Sequence, residues 1–211
     1  MEQKYKIPEK YLPEAAFPFI LNLLESCDLN IKIVKNRSTK YGDFNPCLNK
    51  KQTPTISINN NLNPYSFLIT LLHEFAHYLV WKEKHFYAKP HGRTWKKHFS
   101  ILIKITIDKG IFPDTILKAL EKHIINPKAS SCIDTALFKI LANFDNDKSG
   151  VFIDDISDGV LFQSSNGQIF RRESKIRKRI LCTCLKNKKK YLFSPISKVF
   201  LLENQQFIIN F

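Results

Sequence analysis

Residues 63–81, NPYSFLITLLHEFAHYLVW, decide how the first half of this chain folds. Asn63 followed by Pro64 is typical of a helix start, because asparagine caps free backbone N–H groups and proline suits the first turn. The apolar residues that follow recur with the period of a helix and predict one that continues to about Trp81. Five apolar residues fall on one face of this helix: Leu68, Leu71, Leu72, Phe75 and Leu79.

The opposite face of the predicted helix carries the motif H-E-x-x-H, as His73-Glu74-Phe75-Ala76-His77. Residues four apart share a helix face, so His73 and His77 can bind one metal ion together. Glu74 would then lie beside the metal, where a carboxylate can take a proton from water, as in zinc peptidases. The alternative is a coincidental histidine pair, which a chain with 6 His can contain by chance. A polar stripe on a helix otherwise built for burial favours the metal site.

A catalytic zinc site needs a third protein ligand and one open position. His85 follows His77 by only eight residues, which leaves little chain for a return to the site. His91 lies at a break in regular structure and at the start of a second amphipathic helix, and is better placed. We expect His98, within that second helix, to be a solvated or packing residue. The residues therefore favour His91 as third ligand, with His85 as the alternative.

His73-Glu74-x-x-His77 followed by His91-Gly92-x-x-Trp95 resembles the SprT-like zinc metalloproteases. Residues 37–44 and 55–59 are similar to the strand pair that precedes the active-site helix in that family. The similarity extends over residues 10 to about 125, a little more than half of the chain.

The resemblance implies a zincin-like peptidase domain over residues 1–125. It implies one Zn²⁺ ion, with His73, His77 and His91 as metal ligands and Glu74 as the general base. It also implies substrates among proteins that are bound or crosslinked to DNA. In zincins an edge strand commonly receives the substrate backbone in extended form, although the sequence does not identify that strand here.

The order of predicted elements indicates an α+β fold, with a three-stranded sheet and active-site helices followed by a small β-rich C-terminal domain. The predicted helices cover 13–27, 63–81, 92–110, 113–123 and 132–143, and the predicted strands of the first domain cover 31–34, 39–44 and 55–58. Residues 126–150 are expected to form a helical connector and a turn. The turn at 145–150 begins like a calcium-binding EF-hand loop, but Ile156 stands where the closing acid is required.

Residues 151–211 are predicted to form a basic β-rich domain. Five strands are expected, at 159–163, 168–173, 178–184, 190–193 and 198–202. Asn166-Gly167 is a strong hairpin signal, and Asn187-Lys188 indicates another turn. Five short antiparallel strands suggest a small barrel or a curled sheet.

Charge is concentrated in this second domain. The chain has a formal net charge of +14, and clustered cations that neutralise phosphates make DNA a natural partner. A merely solvated lysine-rich surface is the alternative, but arginines that bind phosphate bidentately favour nucleic acid. The candidate DNA-binding residues are Arg171, Arg172, Lys175, Arg177, Lys178, Arg179, Lys188, Lys189 and Lys190.

Three functions are compatible with these features. The first is a zinc-dependent peptidase that acts on DNA-associated or DNA-crosslinked proteins. The second is a non-proteolytic nucleic-acid-binding protein with a structural zinc domain, against which the presence of Glu74 argues. The third is a peptidase with one specific protein substrate, whose basic surface binds acidic partners.

Cysteines and the N-terminal segment bear on the compartment. The 5 Cys are scattered and odd in number, which suits a reducing environment. Neither a signal peptide nor a membrane-spanning run is recognisable, so we expect a cytoplasmic protein with no membrane partner. SprT-like proteins often carry a zinc ribbon of two cysteine pairs, whereas this chain has only Cys182-Thr183-Cys184, which Cys132 could join. A second structural zinc is therefore not expected.

Overall fold

The structure, a computed structural model, describes residues 7–46, 52–83, 89–125, 127 and 134–202. The chain divides into two compact units, Met1–Asn146 and Asp147–Phe211. The division falls inside the segment 126–150 that was predicted as a connector.

The described residues of the first unit form a three-stranded sheet and five α-helices. The helices are α1 (Phe17–Glu25), α2 (Pro64–Lys82), α3 (Arg93–Asp108), α4 (Asp114–Ile125) and α5 (Thr135–Ala142), and the strands are β1 (Asn30–Val34), β2 (Gly42–Asn45) and β3 (Thr55–Asn59). This arrangement, together with a separate β-rich sheet in the second unit, confirms the α+β class.

Two boundaries differ from the predictions for a physical reason. Residues 14–16 form a separate 3₁₀ turn before α1, since Pro18 has no N–H to donate to the carbonyl of Glu14. The strand predicted from Thr39 begins at Gly42. The side chain of Asn59 donates to the carbonyl of Lys40 at 2.9 Å and so holds that segment as a loop.

The sheet places β3 at its centre. Its strand order is β1-β3-β2, with β1 parallel and β2 antiparallel to β3. Ile56 and Ile58 of β3 are fully buried in the core. β2 is therefore an edge strand of the three-stranded sheet.

Helix α2 begins and ends close to its predicted limits. The side chain of Asn63 accepts a hydrogen bond from the backbone N–H of Ser66 at 2.9 Å, which confirms the predicted N-cap. Burial is wider than one face, because Phe67, Thr70 and Glu74 are buried together with four of the five predicted apolar residues, and Leu79 is half-buried. The sheet and other helices cover α2 on most sides, so Thr70 and Glu74, which lie opposite the predicted apolar face, are buried as well.

No helix in the described ranges is both long and apolar enough to cross a membrane. α2 reaches 19 residues, but His73, Glu74 and His77 interrupt its apolar run.

Within residues 147–202, the described part of the second unit, the strands form one six-stranded sheet. Its strands are β4 (Val151–Phe152), β5 (Leu161–Gln163), β6 (Ile169–Ile176), β7 (Arg179–Cys184), β8 (Lys190–Phe193) and β9 (Lys198–Leu201), in the order β4-β9-β5-β6-β7-β8. Five of these strands were predicted, whereas the two-residue β4 is too short to give a period-two signal. Gly167 has a φ of +82°, as the predicted Asn166-Gly167 turn requires.

Candidate metal centre

Three imidazoles converge in the first unit. His73 and His77 lie one turn apart on α2, and His91 lies just before α3. The Nε2 atom of His91 is 3.0 Å from Nε2 of His73 and 3.0 Å from Nε2 of His77. The three potential ligand atoms all lie within 4.8 Å of one another, so this group could hold a metal ion. The structure thus brings together the three histidines named from the sequence, whereas His85 lies outside the described residues.

The geometry and chemistry of the three nitrogens fit zinc. With Zn–N bonds of about 2.0–2.1 Å, tetrahedral angles require nitrogens about 3.3 Å apart. The two separations of 3.0 Å between His91 and the other histidines each require an opening of only a few tenths of an ångström. Three imidazoles suit zinc, although copper, iron and nickel accept the same ligands.

Burial keeps these imidazoles neutral, as metal ligands must be. Burial lowers the pKa of His73 to about 2, with further lowering from His77 and His91. Burial and the neighbouring His91 lower the pKa of His77 to about 4. Burial also lowers the pKa of His91. At neutral pH the nitrogen lone pairs are therefore available to a cation.

A strained turn positions His91. Its φ is +55°, a left-handed conformation that is uncommon for residues with a side chain. The N–H of Gly92 donates to the carbonyl of Lys89 at 2.8 Å and closes this turn. A Cβ atom at Gly92 would lie 2.8 Å from that same carbonyl oxygen, so the tight turn requires glycine at this position.

The ring of Trp95 packs against the three imidazoles. Its Nε1–H donates to the backbone carbonyl of His73 at 3.2 Å. Its ring centroid lies 4.6 Å from that of His73 and 4.6 Å from that of His91, and the ring stacks on Phe99 at 5.0 Å. Hydrogen bonding and packing thus fix the orientation of the ligands, which explains the tryptophan of H-G-x-x-W.

Glu74 is buried beside the triad, with 8% of its surface exposed. Burial, followed by the negative charge of Asp43, raises its pKa to about 7 from an ordinary value of 4.5. The backbone N–H of Phe44 donates to its carboxylate, and Lys40 and Arg37 also act to lower this pKa. The carboxylate is therefore held by β2 and can both take up and release a proton near neutral pH.

Gly42 of β2 leaves the space that Glu74 occupies. A Cβ atom at Gly42 would lie 2.7 Å from Cγ2 of Thr70, and 2.8 Å from both Cγ and Oε1 of Glu74. Only a residue without a side chain lets the edge strand approach the helix this closely.

A cavity of about 520 Å³ opens over the triad and Glu74. Residues 38–43 form one wall, and side chains of α2, α3 and α4 form the others. Several residues of this cavity were missed as site residues, among them Gly42, Thr70, Phe99 and His123. A usable signal existed for His123, which follows the buried Ile116 and Leu120 of α4 at helical spacing and is thus a polar residue on an apolar face.

The predicted DNA-binding residues of the second unit differ in exposure. Arg172 is buried, donates to the carbonyls of Ile153 and Glu173, and forms an ion pair with Asp158. Its guanidinium is used within the fold, which argues against its predicted role in DNA binding. Lys175 is exposed and forms an ion pair with Asp154 at 2.7 Å.

The remaining candidates are exposed and form two groups. The first group is Arg177, Lys178 and Arg179 at the β6–β7 turn, and the second is Lys188, Lys189 and Lys190 at the β7–β8 turn. Arg171 lies beside the second group, since it pairs across the sheet with Thr183, and Thr183 with Lys190. The six residues of β7 separate the two turns by roughly 17 Å, so the basic residues do not form one continuous patch.

The paired cysteines of β7 lie in the core of the second unit. Cys182 and Cys184 are fully buried, and burial raises the pKa of Cys182 to about 11. A protonated core thiol is a poor metal ligand. Cys132 lies outside the described residues.

Comparison with known proteins identifies no relative. No protein-family model matches the chain. No curated protein and no solved structure matches it either.

Proposed function

We propose that this chain is a zinc-dependent peptidase with a zincin-like, SprT-like first unit. The observation that carries the proposal is the convergence of three neutral imidazoles and a buried carboxylate at one open cavity. His73, His77 and His91 would hold the zinc ion, and Glu74 would serve as the general base. Neighbouring residues hold both parts in place, as preorganised catalysis requires.

In the proposed reaction, Glu74 carries the proton. When bound, zinc polarises a substrate carbonyl and brings the pKa of a water molecule towards neutrality. A carboxylate oxygen of Glu74 takes a proton from the attacking water as the new C–O bond forms. The same carboxyl group then delivers that proton to the amide nitrogen as the C–N bond breaks. The N–H of Phe44 keeps the carboxylate aimed at the cavity during both transfers.

The edge strand β2 is the candidate for receiving the substrate backbone. Phe44 directs its N–H away from β3 and towards Glu74. Successive residues of a strand alternate in direction, so Gly42 also directs its backbone groups away from β3. The N–H of Phe44 is taken up by Glu74, so an extended peptide would pair with the backbone groups of Gly42. It would then lie next to Glu74, and backbone pairing would give little sequence preference.

A purely structural zinc site is less consistent with this arrangement. Structural sites have four protein ligands, whereas catalytic sites keep a position open. Within the described residues the cluster has three members, and it faces a cavity. A structural site would also have no use for a buried carboxylate beside the metal.

DNA-associated proteins are the proposed substrates, with the exposed basic groups of the second unit as the DNA-binding part. Two groups about 17 Å apart are separated by more than the screening length of about 8 Å at physiological salt. They would therefore contact separate phosphates. We place the chain in the cytoplasm, where reduced thiols such as those of Cys182 and Cys184 persist.

Cleavage of a histone in zinc-containing buffer, with and without single-stranded DNA, tests the proposal. We expect wild type to cleave only with DNA, Glu74→Gln to keep its zinc and lose cleavage, and Glu83→Gln to behave as wild type. Glu83 is the matched control, because it is exposed at the end of α2 and pairs with His98. Cleavage by Glu74→Gln at the wild-type rate would remove Glu74 from the mechanism. Zinc-loaded wild type that cleaves nothing would favour the non-proteolytic nucleic-acid-binding alternative, and cleavage indifferent to DNA would favour a peptidase with other targeting.

DNA binding is tested separately by fluorescence anisotropy over a range of salt concentrations. Replacing Lys188, Lys189 and Lys190 by Gln should weaken binding and lower the slope of log K against log salt by up to about 3. Lys104, Lys118 and Lys122 are exposed on α3 and α4, and their triple replacement by Gln is the charge-matched control. Equal losses in both triple variants would show that net charge, rather than the β7–β8 turn, governs binding.

A further inference from the structure

A second histidine–carboxylate pair lines the cavity that contains the metal-binding triad. His123 of α4 is 3% exposed, and its Nδ1 lies 2.9 Å from a carboxylate oxygen of Asp134. Asp134 also caps α5, where its other carboxylate oxygen accepts from the N–H of Leu137. The carboxylate is thereby fixed by a helix end, and it fixes the imidazole in turn.

The free nitrogen of this imidazole reaches the cavity. Because Nδ1–H donates to Asp134, this tautomer of the imidazole has its lone pair on Nε2. Across the described part of the chain, every buried side-chain nitrogen or oxygen atom has a hydrogen-bond partner. The bond to Asp134 is the one hydrogen bond that His123 forms there, and the residue lines the cavity. Nε2 is therefore an acceptor that faces the cavity without a protein partner.

The part of the cavity between His123 and the triad, here called the recess, is bordered by Phe99. The ring centroid of Phe99 lies 5.7 Å from that of His73 and 6.0 Å from that of His123, which it meets edge-on. Ile69 and Thr70 of α2 line the same cavity. The hydroxyl of Thr70 already donates to the carbonyl of Ser66 at 2.7 Å. The recess thus has largely apolar walls and a hydrogen-bond acceptor at its far side.

We propose that this recess binds a substrate side chain next to the scissile bond, and that His123 selects side chains that carry an O–H or N–H donor. The inference rests on the proposed peptidase function. An aliphatic side chain of the same size would fill the recess but leave Nε2 buried without a partner. Leaving a buried polar atom unpaired is costly, so such a site rejects the apolar analogue. Asp134 would act as a positioning residue, because it holds the ring in the required tautomer.

Peptidyl hydroxamates provide the probe, because the hydroxamate binds the metal and fixes which side chain enters the recess. Two matched pairs carry Thr or Val, and Gln or Met, at the adjacent position. Affinities for the zinc-loaded full chain are measured by fluorescence competition, which requires no turnover. We expect wild type to bind the polar member of each pair about 3- to 10-fold more tightly, as one added hydrogen bond predicts.

Three variants separate recognition from a structural effect. In His123→Leu the preference should vanish or reverse. Asp134→Asn should weaken it, because its single side-chain oxygen has to serve both the N–H of Leu137 and Nδ1–H of His123, which two carboxylate oxygens serve in the wild type. His98→Leu is the control, since His98 pairs with Glu83 and is not among the cavity-lining residues. His123→Phe replaces the leucine variant if the latter does not fold.

The outcomes distinguish the two proposals. Hydroxamates that bind tightly but show no polar preference in wild type would overturn the role of His123 and leave the peptidase proposal standing. An unchanged preference in His123→Leu would do the same. Zinc-loaded protein that binds no hydroxamate would show that the metal is closed to ligands, and both proposals would fall.

Discussion

Replacing Gly42 by alanine tests whether β2 positions the catalytic carboxylate. The added Cβ would lie 2.8 Å from Cγ and Oε1 of Glu74 and 2.7 Å from Cγ2 of Thr70. Ordinary van der Waals contact begins near 3.4 Å. Either the strand or the glutamate must therefore shift by about 0.6 Å.

This displacement sets the expected magnitude. A misplacement of about 1 Å in a catalytic group can cost about 100-fold in rate, so Gly42→Ala should lower kcat/KM by about 10- to 100-fold. Overpacking of this kind also costs about 1–3 kcal/mol of folding free energy. Zinc content should remain at the wild-type level, because the close contacts involve Thr70 and Glu74 and none of the three imidazoles.

Three measurements on each protein are required: zinc per chain, urea unfolding and histone cleavage with DNA. Gly110→Ala is the control. Gly110 has a φ of +65° and no atom within 4 Å of an added Cβ, so its replacement costs about 1 kcal/mol through backbone strain alone. The control should lose stability and keep full activity.

A folded, zinc-loaded Gly42→Ala that cleaves at the wild-type rate would refute the reasoning. It would show that Glu74 reaches the scissile bond without the support of β2. Equal activity losses in Gly42→Ala and Gly110→Ala would instead attribute the loss to stability.

Two further predictions concern the third ligand and the core of the second unit. His91→Ala should weaken zinc binding by at least about 100-fold, because it removes a ligand itself, and losing a residue that only supports the ligands usually costs less. His98→Ala should leave zinc binding unchanged. Zinc content after dialysis measures both, and unchanged zinc in His91→Ala would point to His85 as the third ligand. The pKa of Cys182 is raised to about 11 from an ordinary 9.0, so between pH 9 and 11 the unfolded chain releases a proton that the folded chain retains. The contribution of the Cys182 thiol to the free energy of unfolding is therefore complete below pH 9 and falls by about 1.4 kcal/mol per pH unit above pH 9. Urea unfolding of wild type and Cys182→Ala at pH 8.5 and 10.5 measures this difference, and equal pH dependence in the two proteins would contradict it.

Helix α2 and its ligands were predictable because their signals are local. The Asn63-Pro64 start, the apolar period and the H-E-x-x-H spacing all lie within 19 consecutive positions, 63–81. The role of His91 could also be predicted, because the break in regular structure before a second helix returns the chain to the first helix. The extent of burial around α2 was not, because it depends on which elements cover the other faces.

The residues that surround and position the metal ligands and Glu74 could not be predicted, because they come from distant parts of the chain. Gly42 shows its role only once the strand lies against Glu74, and an isolated glycine in a strand has several explanations. His123 joins the cavity through the packing of α3 and α4. Its position on an apolar helix face indicated burial, but its pairing with Asp134 depends on tertiary structure.

The basic segment shows the limit of charge counting most clearly. Neighbouring residues of a strand point to opposite faces, so Arg171 and Arg172 could not both face solvent on a sheet with one buried side. The structure places Arg171 outside and buries Arg172. Composition gives the sign and amount of charge, whereas strand alternation and turn position decide which cations a phosphate can reach. Because the reachable cations lie at two turns about 17 Å apart, neutralising either turn should remove only its own share of the salt dependence, and a loss of the whole dependence from one turn would contradict this two-group arrangement.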